Sequence, residues 1–470
     1  MNVEAPVATQ LSRLSATELA ALVATRRASS REVVEAHLGR IDELNPRLNA
    51  VTARLAESAV EAADAADRAV ARGKALGAFH GVPFTVKENV DVAGVATTLG
   101  LRALAEAMPA EDAPVVRRLR GAGGIPIGHT NCPTLTLGWH TQSELWGATI
   151  NPWDASVTPG ASSGGDAVAL ATGMSPLGLG NDGLGSLRWP AQCCGVAALK
   201  PTIGRIPHAS STPGLETAAI GAQITTVEGP MARRVVDLRA ALAVLAGVDP
   251  SDPWSVPPPL AGAAVPLPMR VALVTNGTSP QVAEGIGRAA AAMVEAGYAV
   301  EEAEPPSLDL AAETLLQMLS TPEVHAMWKE AGAMLPEETH RFLRDFYAAA
   351  GDIDPVATLR SFATRQALGR AWGEFLEHHP LILGPVGTEP PFPAGQCLAP
   401  GAVSRTIRAL RLTLAVSALG LPAVAVPVGI GSGLPQAVQL IGPRYREDLC
   451  LDAAQALEDR LGIITPIDPR

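Results

Sequence analysis

Lys87, Ser162 and Ser186 are residues whose types and surroundings could do chemistry together. The stretch Thr158 to Pro190, TPGASSGGDAVALATGMSPLGLGNDGLGSLRWP, is the densest in small residues. Glycine has no Cβ to clear, so such a stretch lets backbone N–H groups converge on a ligand or on developing negative charge. Ser162 sits in PGASSGG ahead of a short helical run, and Ser186 sits in GLGS after the strand-like LGLG. Lys87 ends the apolar run FTVK. A lysine buried there pays desolvation, its pKa falls from about 10.4, and it becomes a general base.

Each residue also has a plainer reading. Ser162 alone fits a Gly/Ser turn capping a helix, and GASSG matches the GxSxG nucleophile elbow, which needs a strand directly before it. NPWDASVTP is not a strand. Lys87 alone reads as a strand-end lysine reaching solvent; only the three residues taken jointly argue for catalysis. Arg188 is expected to order the loop around Ser186. Cys132, Cys193 and Cys194 lack fitting histidine spacing for a thiol nucleophile or a metal, and read as buried structural cysteines. His378 and His379 read as a helix end, where a cation is favourable.

The elements that must position these groups can be read from periodicity. SATE at Ser15 to Glu18 and SSRE at Ser29 to Glu32 fit capping boxes ahead of amphipathic helices, with Asn45 and Pro46 ending the second. An Ala-rich helix follows from about Leu55 to Arg72. The runs Val82 to Val86, Gly124 to Gly128, Leu177 to Gly180 and Val196 to Leu199 read as buried strands. Helical patterns between them predict an α/β fold: a central sheet covered by helices on both faces. The Pro-rich segment Asp249 to Pro268 reads as a surface linker, and RVALVTNG, a helix from Gln281 to Ala296 and YAVEEAE as strand, helix, strand. Leu308 to Glu377 is mostly helical and holds a large share of the aromatics, so it is expected to wall a substrate pocket. PLILGPV and AVAVPVGI would return the chain to the sheet.

Composition narrows the function classes. The balance of 36 basic and 47 acidic residues, net −11, with no run of Lys or Arg, lacks the footprint of a nucleic-acid or anionic-membrane binder. A small-molecule substrate fits better. The five cysteines and the start MNVEAPVATQ, without a signal-peptide pattern, predict reduced thiols in the cytoplasm. Leu412 to Gly431 is uncharged, but Gly420, Pro422, Pro427 and Gly429 break it, so it reads as a helix end, a turn and a core strand and not a membrane span.

The segments GVPFTVKENVDVAG, GIPIGHTNCP, NPWDASVTPGASSGG, LGLGNDGLGSLRWPAQCCGVAALKPTIGR and GLPAVAVPVGIGSGLPQAVQLIGPRYRED, in this order, resemble the amidase signature family. The resemblance covers nearly the whole chain from Leu14. It implies one amidase domain built on a mixed central sheet with a helical pocket region: an N-terminal helical segment to 75, a catalytic core over 76–250, a variable region with the pocket wall over 251–400, and a C-terminal part over 401–470. It implies a serine hydrolase with Lys87 as base, Ser162 as the cis-serine bridging it, and Ser186 as the nucleophile. The oxyanion hole would come from Gly183, Leu184, Gly185 and Ser186. No metal or cofactor is implied. The chain departs from the family at Ala161 and Leu184, where glycine is usual, and at Asp166, which replaces a small polar residue and is expected to favour the helix dipole.

Leu184 and Cys132 near the nucleophile, with Leu315, Met318 and Phe392 from the wall, are the expected substrate contacts. Neutral apolar or aryl amides are expected, with esters and carbamates chemically admissible. Two other readings stay open: an amidotransferase subunit delivering ammonia from glutamine within a complex, and a catalytically silent binding protein of the same fold. The expected assembly is a monomer or homodimer.

Overall fold

The apolar runs become strands, and nearly all of the strands join one sheet. The computed structural model describes residues 8–351 and 354–470. Within them lie β1 (Val51–Arg54), β2 (Pro83–Lys87), β3 (Ile125–Thr130), β4 (Gln142–Ser143), β5 (Gly147–Ala148), β6 (Leu177–Asp182) and β7 (Ala197–Lys200). β8 (Val227–Ala232), β9 (Arg270–Leu273), β10 (Ala299–Glu302), β11 (Leu381–Pro385), β12 (Ala423–Gly431) and β13 (Leu434–Ile441) follow. β4 and β5 pair with each other; the other eleven form a sheet in the order β1-β3-β2-β6-β8-β7-β12-β13-β11-β9-β10. β3, β2 and β6 are parallel, as are β11, β9 and β10. The pairs from β6 through β8, β7, β12 and β13 to β11 are antiparallel, and so is β1 on β3. The sheet is mixed, as expected.

Successive residues feed opposite cores, which is the period-two consequence of a strand buried on both faces. Leu199, Val424 and Val426 join the cluster that holds the helices Val235–Leu245, Pro280–Glu295 and Glu447–Leu461. Ala198 and Ala425, one residue over, join the cluster that holds Gly164–Ala171 and Arg188–Cys194.

Both capping boxes form. Ser15 Oγ accepts from Glu18 N–H while Glu18 accepts from Ser15 N–H, and Ser29 and Glu32 repeat the pattern. The second helix does not stop at Asn45 and Pro46 but runs Ser30–Leu48. A proline in the final turn removes one N–H without breaking the turns before it, and Asn49, in the left-handed region at φ 50°, closes the helix by donating to Asn45 O. Asn45 marks the next turn instead: its Oδ1 accepts from the N–H groups of Ala50 and Val51, both at 2.8 Å, as the chain enters β1.

β6 carries glycines because two groups press on it. A Cβ at Gly178 would lie 2.9 Å from Asp166 Oδ1, and one at Gly180 would lie 2.6 Å from Ser163 Oγ. The LGLG pattern is the imprint of the 162–166 segment on the strand. Further on, Arg411–Leu419 is a buried helix, Gly420 ends it at φ 64°, and β12 follows, as expected of the uncharged stretch. No helix among the described residues is long and apolar enough to cross a membrane.

Candidate active site

The parallel neighbours β2 and β6 end side by side, and their last residues supply the polar centre. Lys87, the final residue of β2, is fully buried. Its Nζ lies 2.7 Å from Ser162 Oγ and 2.6 Å from Asn181 Oδ1 at the end of β6. Burial lowers the Lys87 pKa, while Cys132, Glu228, Asp166 and Asp182 oppose the shift weakly. The Ala161–Ser162 peptide is cis. Ser163 N–H donates to Ser186 O at 3.1 Å, which ties the two serine segments together.

Asp166 stands in the first turn of Gly164–Ala171, where sequence expects a helix-dipole partner, but burial weakens its charge. It is fully buried, accepts from Thr85 Oγ1 at 2.8 Å, and burial raises its pKa to about 7 despite hydrogen bonds from Thr130 and Thr85. Near physiological pH it is therefore divided between its neutral and charged forms.

The loop after β6 is shaped by Asp182, which sequence reading did not single out. Asp182 Oδ1 accepts from Gly185 N–H at 2.9 Å, and Oδ2 from Leu187 N–H at 3.2 Å. Arg188 grips both oxygens, each at 3.0 Å, and donates onward to Gln439, Thr413 O and Ser417. Burial works against the Asp182 charge, yet Arg188 outweighs it and holds the pKa at about 2. Arg188 orders this loop, as expected, and is itself fully buried. Gly185 does not serve as an oxyanion donor, because its N–H is given to Asp182. The loop N–H groups without a partner among the described residues are those of Gly183, Leu184 and Ser186.

Ser162, Asn181, Leu184 and Ser186 open onto a cavity of about 390 Å³. Ser186 is 9% exposed. The far wall comes from Met318, from Met327 and Trp328 on the helix Pro322–Ala331, and from Phe342, Phe346 and Tyr347 on one face of Glu337–Ala350. Of the side chains expected to meet substrate, Leu184 and Met318 line the cavity. Cys132, Leu315 and Phe392 do not: Cys132 is buried near Lys87, Leu315 faces the core, and Phe392 packs on Trp189 with ring centroids 4.8 Å apart. Trp372, in the later half of the expected wall, packs with Leu412 and Val416 away from the cavity. Apolar periodicity marks these side chains as buried without saying on which side of the helix the cavity lies. The segment 208–226, with His208, Ser210 and Leu215, completes the lining. Its mixed polar sequence carries no periodic signal that could have shown this.

Comparison with known proteins adds the decisive observation: the amidase family profile matches residues 32–451. The chain belongs to the amidase family. It is an enzyme that hydrolyses amide C–N bonds. The amidase is 41% identical over 459 residues to an indoleacetamide hydrolase of Bradyrhizobium diazoefficiens, covering 96% of this chain and 87% of that protein. It is 33% identical to a glutamyl-tRNA(Gln) amidotransferase subunit of Moorella thermoacetica, covering 96% of this chain and 97% of that protein. A solved bacterial aryl acylamidase of the amidase signature family superposes on the amidase with a TM-score of 0.83 at 27% identity, covering 96% of both chains.

Proposed function

We propose that this amidase hydrolyses neutral amides bearing an apolar or aryl group through an acyl-enzyme on Ser186, with Lys87 and Ser162 relaying the proton. The observation that carries this reading is the desolvated Lys87 amine, 2.7 Å from Ser162, at the floor of an apolar cavity shared with Ser186. Neutral Lys87 gives one N–H to Asn181 Oδ1, which leaves its lone pair for the Ser162 hydroxyl. Ser162 passes its proton to Lys87 and takes the Ser186 proton, and Ser186 Oγ attacks the amide carbon. The oxygen charge that develops meets the N–H groups of Gly183, Leu184 and Ser186, where loss of one such donor lowers kcat by roughly 10²–10³-fold. Ser162 then returns a proton to the departing nitrogen, and water hydrolyses the acyl-enzyme.

The lining argues for the substrate class. Among the described residues that line the cavity there is no Asp, Glu, Lys or Arg. Glutamine needs partners for an α-ammonium and an α-carboxylate, and burying either unpaired is strongly unfavourable. An aryl group meets Trp328, Phe342 and Phe346. The indoleacetamide and aryl-amide activities named for the relatives are in keeping with that preference. Esters and carbamates present the same acyl carbon and fall within reach of the same nucleophile. Five free, buried cysteines suit the reducing cytoplasm.

Labelling with a fluorophosphonate and peptide mass spectrometry tests the nucleophile: the label is expected on Ser186, and label on Ser162 or Cys132 instead overturns the assignment. A panel of arylacetamides, anilides and glutamine tests the class. A higher kcat/KM on glutamine than on a neutral aryl amide overturns the preference.

A further inference from the structure

Among the described residues that line the cavity, one side chain can carry a positive charge, and it is held from behind. His208 lines the cavity, and its Nδ1 lies 2.7 Å from Glu228 Oε1. Glu228 belongs to β8, directly opposite Asn181 of β6, so the histidine's partner stands beside the residue that orients Lys87. His208 N–H donates to Asp252 Oδ2 at 3.0 Å, which fixes the backbone as well. The His208 side chain is 35% exposed, and its Nε2 has no partner among the described residues. With Nδ1–H committed to a carboxylate, Nε2 is the nitrogen left for a ligand, and it donates when the ring carries its second proton.

We propose that His208 reads the substrate: its Nε2 donates a hydrogen bond to a neutral acceptor atom, an oxygen or a ring nitrogen, on the aryl part of the amide. This rests on the neutral-amide reading above. Burial disfavours the imidazolium, but the hydrogen bond and charge of Glu228, with the charges of Asp252 and Asp91, outweigh it and raise the His208 pKa, which extends the pH range over which both ring nitrogens carry a proton. Because Glu228 already matches the charge, the pair is neutral overall and selects an acceptor dipole over an anion.

The test compares naphthylacetamide with its quinolinyl isosteres, in which one ring CH becomes an acceptor nitrogen. At least one isomer should exceed the naphthyl amide in kcat/KM by about 10- to 100-fold, the range of a hydrogen bond to a charged donor. In His208→Asn, whose amide nitrogen can still serve Glu228 but offers nothing at the Nε2 position, the ratio should fall to about one, chiefly through KM. His208→Gln, which places an N–H donor near the Nε2 position, should restore part of it. Equal turnover of naphthyl and quinolinyl amides by the unaltered enzyme overturns the role of His208 alone. So does a preference that persists in folded His208→Asn, or a carboxynaphthyl amide that outperforms every quinoline. If His208→Asn fails to fold, the ranking by the unaltered enzyme and by His208→Gln decides. Turnover of glutamine with none of either aryl amide overturns both this inference and the reading on which it rests.

Discussion

A lysine that works as a base must be neutral when the substrate arrives. Burial lowers the Lys87 pKa, so activity should rise with pH and level off below the ordinary lysine value of 10.5. A pH–rate profile of kcat/KM checks this, and a rate falling steadily from neutral to mildly alkaline pH in folded enzyme contradicts it. Lys87→Arg keeps a cation that cannot deprotonate, and should lower kcat by about 10²–10⁴-fold at every pH. Asp166 makes an opposite prediction about stability. Its folded pKa of about 7 lies above the usual 3.8, so between those values the folded state binds more protons than the unfolded chain. Its contribution is fully present at low pH and is lost as pH rises towards and through about 7. Asp166→Asn removes that loss, and should therefore gain stability relative to the unaltered enzyme between pH 5 and pH 8 in urea titrations. The places of Lys87, Ser162 and Ser186, at an apolar strand end and in two Gly/Ser turns, could be read because those settings are local, whereas the roles proposed for them rest on the three taken jointly and on the family resemblance. The state of Asp166 could not, since its charge depends on Thr85 and on burial beneath a strand 81 residues away in sequence.

At the scale of elements, the loop between β6 and Arg188–Cys194 is held by one buried ion pair. Removing one partner of such a pair leaves an uncompensated charge and destabilises by about 3–5 kcal/mol. Arg188→Met should show a loss of that size in denaturant unfolding, with a fall in kcat as the Gly183–Ser186 N–H groups lose their anchor. An unchanged stability would show that Asp182 is satisfied without Arg188. The strands and capped helices could be read in advance because period-two burial and the S-x-x-E signature are written in neighbouring residues. Asp182 could not be ranked that way. A polar pair after an apolar strand is ordinary, and what makes Asp182 an anchor is the return of Thr413, Ser417 and Gln439 from the far end of the chain.

At the scale of the molecule, one sheet links β1 near the start of the chain to β13 near its end, with no break at the Pro-rich segment. The buried pair Arg205 and Glu447, at 2.7 Å, fastens the catalytic part to the C-terminal helix Glu447–Leu461. Tryptophan fluorescence and far-UV circular dichroism should therefore report coincident unfolding transitions, and separated transitions would place a domain boundary inside the chain. The fold class was readable from the alternation of strand and helix patterns. The half of the aromatic segment that faces the site was not, because only the packed whole decides which helix turns towards Ser186. The apolar lining also governs the end of the catalytic cycle. Hydrolysis of the neutral amide proposed above would leave a carboxylate against a wall with no Lys or Arg among the described residues, where His208 is already paired with Glu228. On that reading the surface that admits the amide disfavours the acid. Product inhibition should accordingly be weak, with an inhibition constant for the acid at least about tenfold above the KM of its amide.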